Sequence, residues 1–139
     1  MTTQSNKTVT IALMDPPFES ETTTTVLRIV DAALRKGINV NVFAYEGAVA
    51  MTTKNQTAHA NPVKGTSAEE EDHPSTARFI EGLFGIAGES SAKLDWINCG
   101  MCVDERGPTD WVEGVRRGGP PDLYKWSTES INTLIIGTR

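Results

Sequence analysis

The sequence predicts an α/β protein with one mostly parallel sheet and helices on both faces. Three observations predict it. Short runs rich in β-branched and apolar residues alternate with longer runs whose apolar positions fall at helical spacing. Glycine and proline stand where the period changes. The rhythm continues to the end without an internal repeat or a low-complexity linker, so residues 1–139 read as a single domain.

Residues 8–14 (TVTIALM) make the first expected strand, and Asp15-Pro16-Pro17 stops it because proline cannot donate to the ladder. Over residues 22–36, Val26, Ile29, Val30, Ala33 and Leu34 recur at helical spacing. Ser20 or Thr22 can cap that helix, and Gly37 stands where a C-terminal glycine belongs. Residues 38–45 (INVNVFAY) alternate at period two, completing a β-α-β unit with a right-handed crossover. Residues 52–75 break the rhythm. They are polar, contain Asn61-Pro62, Gly65 and an acidic run at 69–72, and are expected to form a long mobile surface loop.

Helical spacing resumes at residues 77–87 through Phe79, Ile80, Leu83, Phe84 and Ile86. Residues 93–98 (KLDWIN) read as a third strand that runs directly into Cys99-Gly100-Met101-Cys102. Beyond Gly107-Pro108 the pattern predicts a helix over 109–117, a Gly-Gly-Pro-Pro break, and a short helical piece at 122–129. Residues 131–137 (INTLIIG) form an apolar closing strand, which gives a sheet of at least four strands.

Composition narrows the function classes. With 38% hydrophobic and 22% charged residues the chain is an ordinary globular protein, and its net charge of -5 argues against a nucleic-acid partner. The one dense basic spot, Arg116-Arg117, is diluted by Glu113 and Asp122. No run approaches the roughly 20 apolar residues of a membrane span, and residues 1–6 carry no leader-like apolar stretch, so a cytoplasmic location is expected. Small molecules and other proteins remain as partners. In a reducing compartment the two cysteines, Cys99 and Cys102, are expected to be reactive or metal-binding rather than a structural staple.

In open parallel sheets, ligands bind beyond the carboxyl ends of the strands. Three segments should gather there: residues 15–21, 46–73 and 99–108. The cysteine pair therefore falls at the expected functional edge. A thiol acts as a nucleophile only as the thiolate, which a nearby cation favours. Arg106 follows Cys102 by four residues, so a helical turn would set both on one face, where Arg106 can stabilise a thiolate or persulfide at Cys102. Asp104 and Glu105 oppose this unless they point away. Other readings stay open: two small apolar residues packed at a strand end, as in a non-catalytic binding or regulatory subunit of an oligomeric assembly, half of a zinc site completed by His59 and His73, or a dithiol redox pair. Glu19, Glu21 and Glu46 are candidate pocket carboxylates by position, Thr22 to Thr25 a candidate anion contact, and Trp96, Trp111 and Trp126 core or subunit-interface residues.

The run CGMCVDERG at residues 99–107, following a hydrophobic strand, resembles the Cys-Gly-x-Cys-x-x-x-Arg-Gly loop of DsrE-like proteins. The stretch GVRRGGPPDLYKWSTESINTLIIG resembles the end of that family, and the opening strand, Thr-rich helix start and second strand resemble its beginning. The resemblance implies a three-layer, flavodoxin-like sandwich that assembles as a homotrimer or hexamer. It also implies a sulfurtransferase-like sulfur relay without an organic cofactor, in which a cysteine persulfide passes between donor and acceptor proteins such as TusA-like carriers. Cys102 matches the sulfur-carrying cysteine and Arg106-Gly107 the Arg-Gly. Cys99 belongs to the two-cysteine version of the loop. In this chain its expected role is either to resolve the persulfide as a disulfide or only to shape the loop.

Overall fold

The computed structural model describes residues 6–18, 20–57, 59–60, 62–71 and 75–138. Glu19, Asn61, His73 and the last residue of the acidic run at 69–72 lie outside them. In chain order the elements are β1 (Thr8–Leu13), α1 (Glu21–Arg35), β2 (Asn39–Ala44), a 3-10 helix (Glu46–Thr52), α2 (Ala68–Glu71), α3 (Thr76–Glu89), β3 (Leu94–Cys99), α4 (Gly100–Arg106), β4 (Val115–Gly118), α5 (Pro120–Glu129) and β5 (Asn132–Ile136). The five strands form one sheet in the order β4-β3-β2-β1-β5, and every neighbouring pair is parallel. Four strands thus step outward in chain order, and the last segment crosses back to the other edge.

Period-two alternation decides what each face of the sheet holds. Ile11, Leu13, Val40, Val42, Ala44 and Trp96 point to one face and pack with Val26, Leu27, Val30 and Leu34 of α1 and with Ala77, Ile80 and Leu83 of α3. Their alternates Ala12, Phe43, Ile97 and Cys99 point to the other, where α5 lays Trp126 and Leu123 over them. The result is the three-layer α/β arrangement expected from the sequence, with a large core on the α1–α3 side and a small one under α5.

Local chemistry sets the element ends. Gly37 adopts φ +79° after α1 and Gly107 adopts φ +83° after α4, backbone that a residue with a Cβ rarely takes. Ser75 caps α3, its hydroxyl accepting from the Arg78 N–H. The Asp122 carboxylate accepts the Gly119 N–H at 2.8 Å and so holds the start of α5.

The segment expected as a helix at 109–117 is not helical. Asp110 and Gly114 sit at φ +59° and +99°, which no continuous α-helix accommodates. Trp111 bridges antiparallel to Thr53, Val112 donates to the Thr52 carbonyl at 2.9 Å, and the chain then enters β4 as the outermost strand on that side. The described residues of the 52–75 segment are mostly irregular yet tied at both ends by Gln56. Its side-chain N–H groups donate to the carbonyls of Ala50 and Met51 and to the Thr76 hydroxyl, and its oxygen accepts from Ser75 and Ala77. Among the described residues no helix is long and apolar enough to cross a membrane.

Candidate functional site

Parallel pairing brings the carboxyl ends of β1, β2 and β3 to one edge, and the segments that follow them meet there. Pro16 packs so closely on Gly47 that a Cβ at 47 would stand 3.0 Å from it. Phe18 meets His59 edge to face, with ring centroids 5.4 Å apart. The first turn of α4, directly after β3, presents Cys102 to the start of the 3-10 helix, whose Glu46 N–H donates to the Cys102 sulfur at 3.1 Å.

Glu46 adopts φ +52°, in the left-handed region that side chains other than Gly, Asn and Asp seldom occupy. That conformation turns its N–H toward Cys102 while its carboxylate accepts from Arg106 at 2.6 Å. The residue is therefore a bracket between sulfur and guanidinium. Arg106 shares α4 with Cys102, as the spacing predicts, but its side chain is taken up by Glu46 and, at 3.3 Å, by Glu105. In this arrangement Arg106 reaches Cys102 through Glu46 rather than by direct contact.

Cys102 is partly buried and Cys99 is buried, 7% exposed at the end of β3. Burial pushes the Cys102 thiol above its ordinary range, and the neighbouring Cys99 thiol and the Glu46 carboxylate push the same way; the Glu46 N–H acts against them. The resting thiol is therefore harder to ionise than a free cysteine. Tyr45 is raised too, by burial first and then by Glu46 and Cys102, which places its phenol within the field of the site. Tyr45, Leu123 and Cys102 together border the small apolar cluster under α5.

Arg117 and Tyr45 escaped the sequence reading. Arg117 pairs in register with Asn98 on β3, one residue before Cys99. Its guanidinium lies where a Cβ on Gly100 would be, 2.5 Å from Nε, so glycine at 100 is what lets it in. Asp104 holds it with two hydrogen bonds of 2.8 Å, an interaction that keeps the Asp104 carboxyl low. The signal was present as Arg116-Arg117, but reading 109–117 as a helix hid the strand register that carries it.

The remaining candidates are placed elsewhere. Trp96 and Trp126 are core residues, and Trp111 is half-buried, its ring N–H donating to the Pro108 carbonyl at 3.0 Å. Glu21 opens α1 and is exposed. Among the described residues no three His, Cys, Asp or Glu side chains gather as metal ligands.

The chain matches the DsrE/DsrF-like family over residues 7–134. It belongs to that family. An uncharacterized protein of Methanopyrus kandleri is 28% identical over 130 residues, covering 92% of this chain and 93% of that one. Among solved structures, the ychN protein of E. coli superimposes with a TM-score of 0.73 at 18% identity, over 95% of this chain and all of the other. A protein of unknown function from Methanobacterium thermoautotrophicum reaches a TM-score of 0.58 at 13% identity, over 96% of this chain and all of the other. At those identities the structural likenesses speak for the shared fold.

Proposed function

We propose that this DsrE/DsrF-like protein carries sulfane sulfur as a persulfide on Cys102 and yields it to a partner protein thiol, in the manner of a sulfurtransferase. The observation that carries the reading is the setting of Cys102: a partly exposed thiol at the carboxyl edge of a parallel sheet, with a backbone N–H aimed at its sulfur at 3.1 Å. The Cys102 thiolate attacks the outer sulfur of a donor persulfide, forming Cys102–S–SH and releasing the donor as a thiolate. An acceptor thiolate then attacks the outer sulfur and leaves Cys102 as thiolate again. No electron balance is left open, and no organic cofactor takes part.

Arg106 acts in this reading as a positioning residue, because its ion pair holds Glu46 and with it the N–H on the sulfur. Partners are a donor and an acceptor protein of the TusA-like carrier kind, meeting in a reducing cytoplasm. Homotrimer or hexamer formation has an available surface: Ile131 and, on the edge strand β5, Leu134 and Ile135 are exposed, as is Tyr124 of α5. The test is intact-mass spectrometry of reduced protein after brief exposure to polysulfide. A gain of ~32 Da per sulfur is expected in wild type and in Cys99→Ser, and none in Cys102→Ser. Equal loading of Cys102→Ser, or loading of no form at all, sinks the proposal.

A further inference from the structure

The two thiols differ in a way that gives them different reach. Cys102 is partly exposed, whereas Cys99 is 7% exposed among Ala12, Phe43, Ile97 and the α5 residue Trp126. A partner protein can touch the first and not the second. Cys99 can act only on its neighbour.

Resting on the persulfide reading above, we propose that Cys99 is an internal resolving thiol, which releases the Cys102 sulfur as hydrosulfide when no acceptor is docked. The Cys99 thiolate attacks the inner sulfur of Cys102–S–SH. A Cys99–Cys102 disulfide forms, the S–S bond of the persulfide breaks, and its electron pair leaves with HS⁻. The two cysteines are oxidised and the sulfane sulfur is reduced, so the persulfide itself is the oxidant. A dithiol reductant then restores both thiols.

Three features of the site support the step. Residues three apart on a helical turn bring their Cβ atoms to about 5–6 Å, and a disulfide needs about 3.5–4.5 Å. The remaining gap of about 0.5–2.5 Å falls at Cys99, which is extended (φ -60°, ψ 121°) and caps α4 from outside its helical backbone. Second, only attack on the sulfur bonded to the Cys102 Cβ yields a Cys99–Cys102 disulfide, and the buried Cys99 sits beside that carbon's backbone while the partly exposed Cys102 leaves the outer sulfur to docked acceptors. Third, Arg117 is fixed by Asp104 in the space that Gly100 leaves open, within electrostatic reach of Cys99. It is the counter-charge for the negative charge that Cys99 must develop, and so a positioning residue for the release step. Of the other ionisable groups at the pair, Glu46 and Tyr45 bear negative charge when ionised and Arg106 is taken up by Glu46, which leaves the cationic role at Cys99 to Arg117.

The experiment follows polysulfide-loaded, desalted protein under anaerobic conditions without reductant, reading intact mass and free sulfide together. Wild type is expected to lose the ~32 Da adduct, release one sulfide per adduct, and end ~2 Da lighter than reduced protein. Cys99→Ser and Cys99→Ala should keep the adduct and release at least tenfold less sulfide until an external thiol is added. Arg117→Gln should slow sulfide release several-fold, and Arg117→Lys should restore much of the rate. A wild-type adduct as durable as that of Cys99→Ser overturns the resolving role and leaves the persulfide reading standing. Failure of Cys99→Ser and Cys99→Ala to load at all overturns both.

Discussion

The two faces of the sheet are built from the same strands and have opposite characters. Toward α1 and α3, the inward residues of β1 and β2, together with Trp96 of β3, are apolar and buried almost without exception. Toward α5 the composition is graded along the strands. Thr8, Thr10, Asn39, Asn41 and Asp95 occupy the amino-terminal half, joined by Asn39–Thr8, Asn41–Thr10 and Thr10–Ser130 hydrogen bonds and by the Arg116–Asp95 pair. Ala12, Phe43, Ile97 and Cys99 follow in the carboxyl half. The first face supplies stability, and the second leads to a thiol that is shielded yet adjacent to an accessible one. Keeping them apart lets the site hold strain and polar groups without weakening the main core.

The sharpest way to break this comparison is to cut one leucine from each face. Leu27, 1% exposed within the α1–α3 core, should cost about 3–5 kcal/mol when changed to Ala. Leu123, partly buried at the border of the α5 cluster, should cost only about 1–2 kcal/mol when changed likewise. Urea unfolding measures both, and equal losses would mean that α5 anchors the fold as firmly as α1 and α3 do.

Legibility in the sequence followed the same division. β1, β2, β3, α1 and α3 declared themselves because each commits one face to the large α1–α3 core, and burial there enforces periods of 2 or 3.6. Trp111, Val112 and Val115 mimic a helical face, yet only Val112 is fully buried, pinned by the Thr52 carbonyl. β4 spans four residues with a single apolar side chain, so it offers no period to read. Its identity comes from partners distant in sequence, Asp95 for Arg116 and Asp104 for Arg117. The Cys102–Arg106 spacing was legible in the same way as any helical pair. That Glu46 stands between them was not, because it depends on a left-handed backbone 56 residues upstream of Cys102.

A second test works from the α5 side. A Cβ at Gly118 would stand 2.7 Å from Ile97 Cγ2 and 2.6 Å from the Asp122 carboxylate that caps α5. Gly118→Ala should therefore cost about 1–3 kcal/mol through overpacking and a disturbed cap. If it proves neutral, the α5 layer is free to shift, and the placing of Trp126 over Ile97 and Cys99 is looser than the contacts imply.

Smaller effects are expected at the bracket. Glu46→Gly relieves a left-handed residue of about 1 kcal/mol while losing an exposed ion pair with a contribution of about 0–1 kcal/mol, so stability should hardly move. Glu46→Ala keeps the backbone strain and loses the pair, so it should be the less stable of the two in the same urea assay. Both changes remove a carboxylate that pushes the Cys102 thiol upward, and each should speed alkylation of Cys102 at pH 8. Slower alkylation in both would show that the Glu46 carboxylate aids ionisation rather than opposing it.

The smallest expected effect is a pH dependence of stability, and its sign follows from burial. A thiol whose folded-state pKa lies above its unfolded value binds its proton more tightly when native. The stability tied to that proton is fully present below the unfolded thiol range and is lost as pH rises through the higher folded value. Cys102 is raised in this way, and Tyr45, with its own upward shift, extends the loss further into alkali. Urea midpoints should therefore fall between pH 7 and strongly alkaline solution, less steeply in Cys102→Ser and least in the Cys102→Ser/Tyr45→Phe double variant. A steeper fall in the double variant would mean that these two groups are easier to ionise in the folded protein than in the unfolded chain. The resting site would then be an activated thiolate, and the division between a stable face and a reactive edge would have to include charge stored at that edge before any partner arrives.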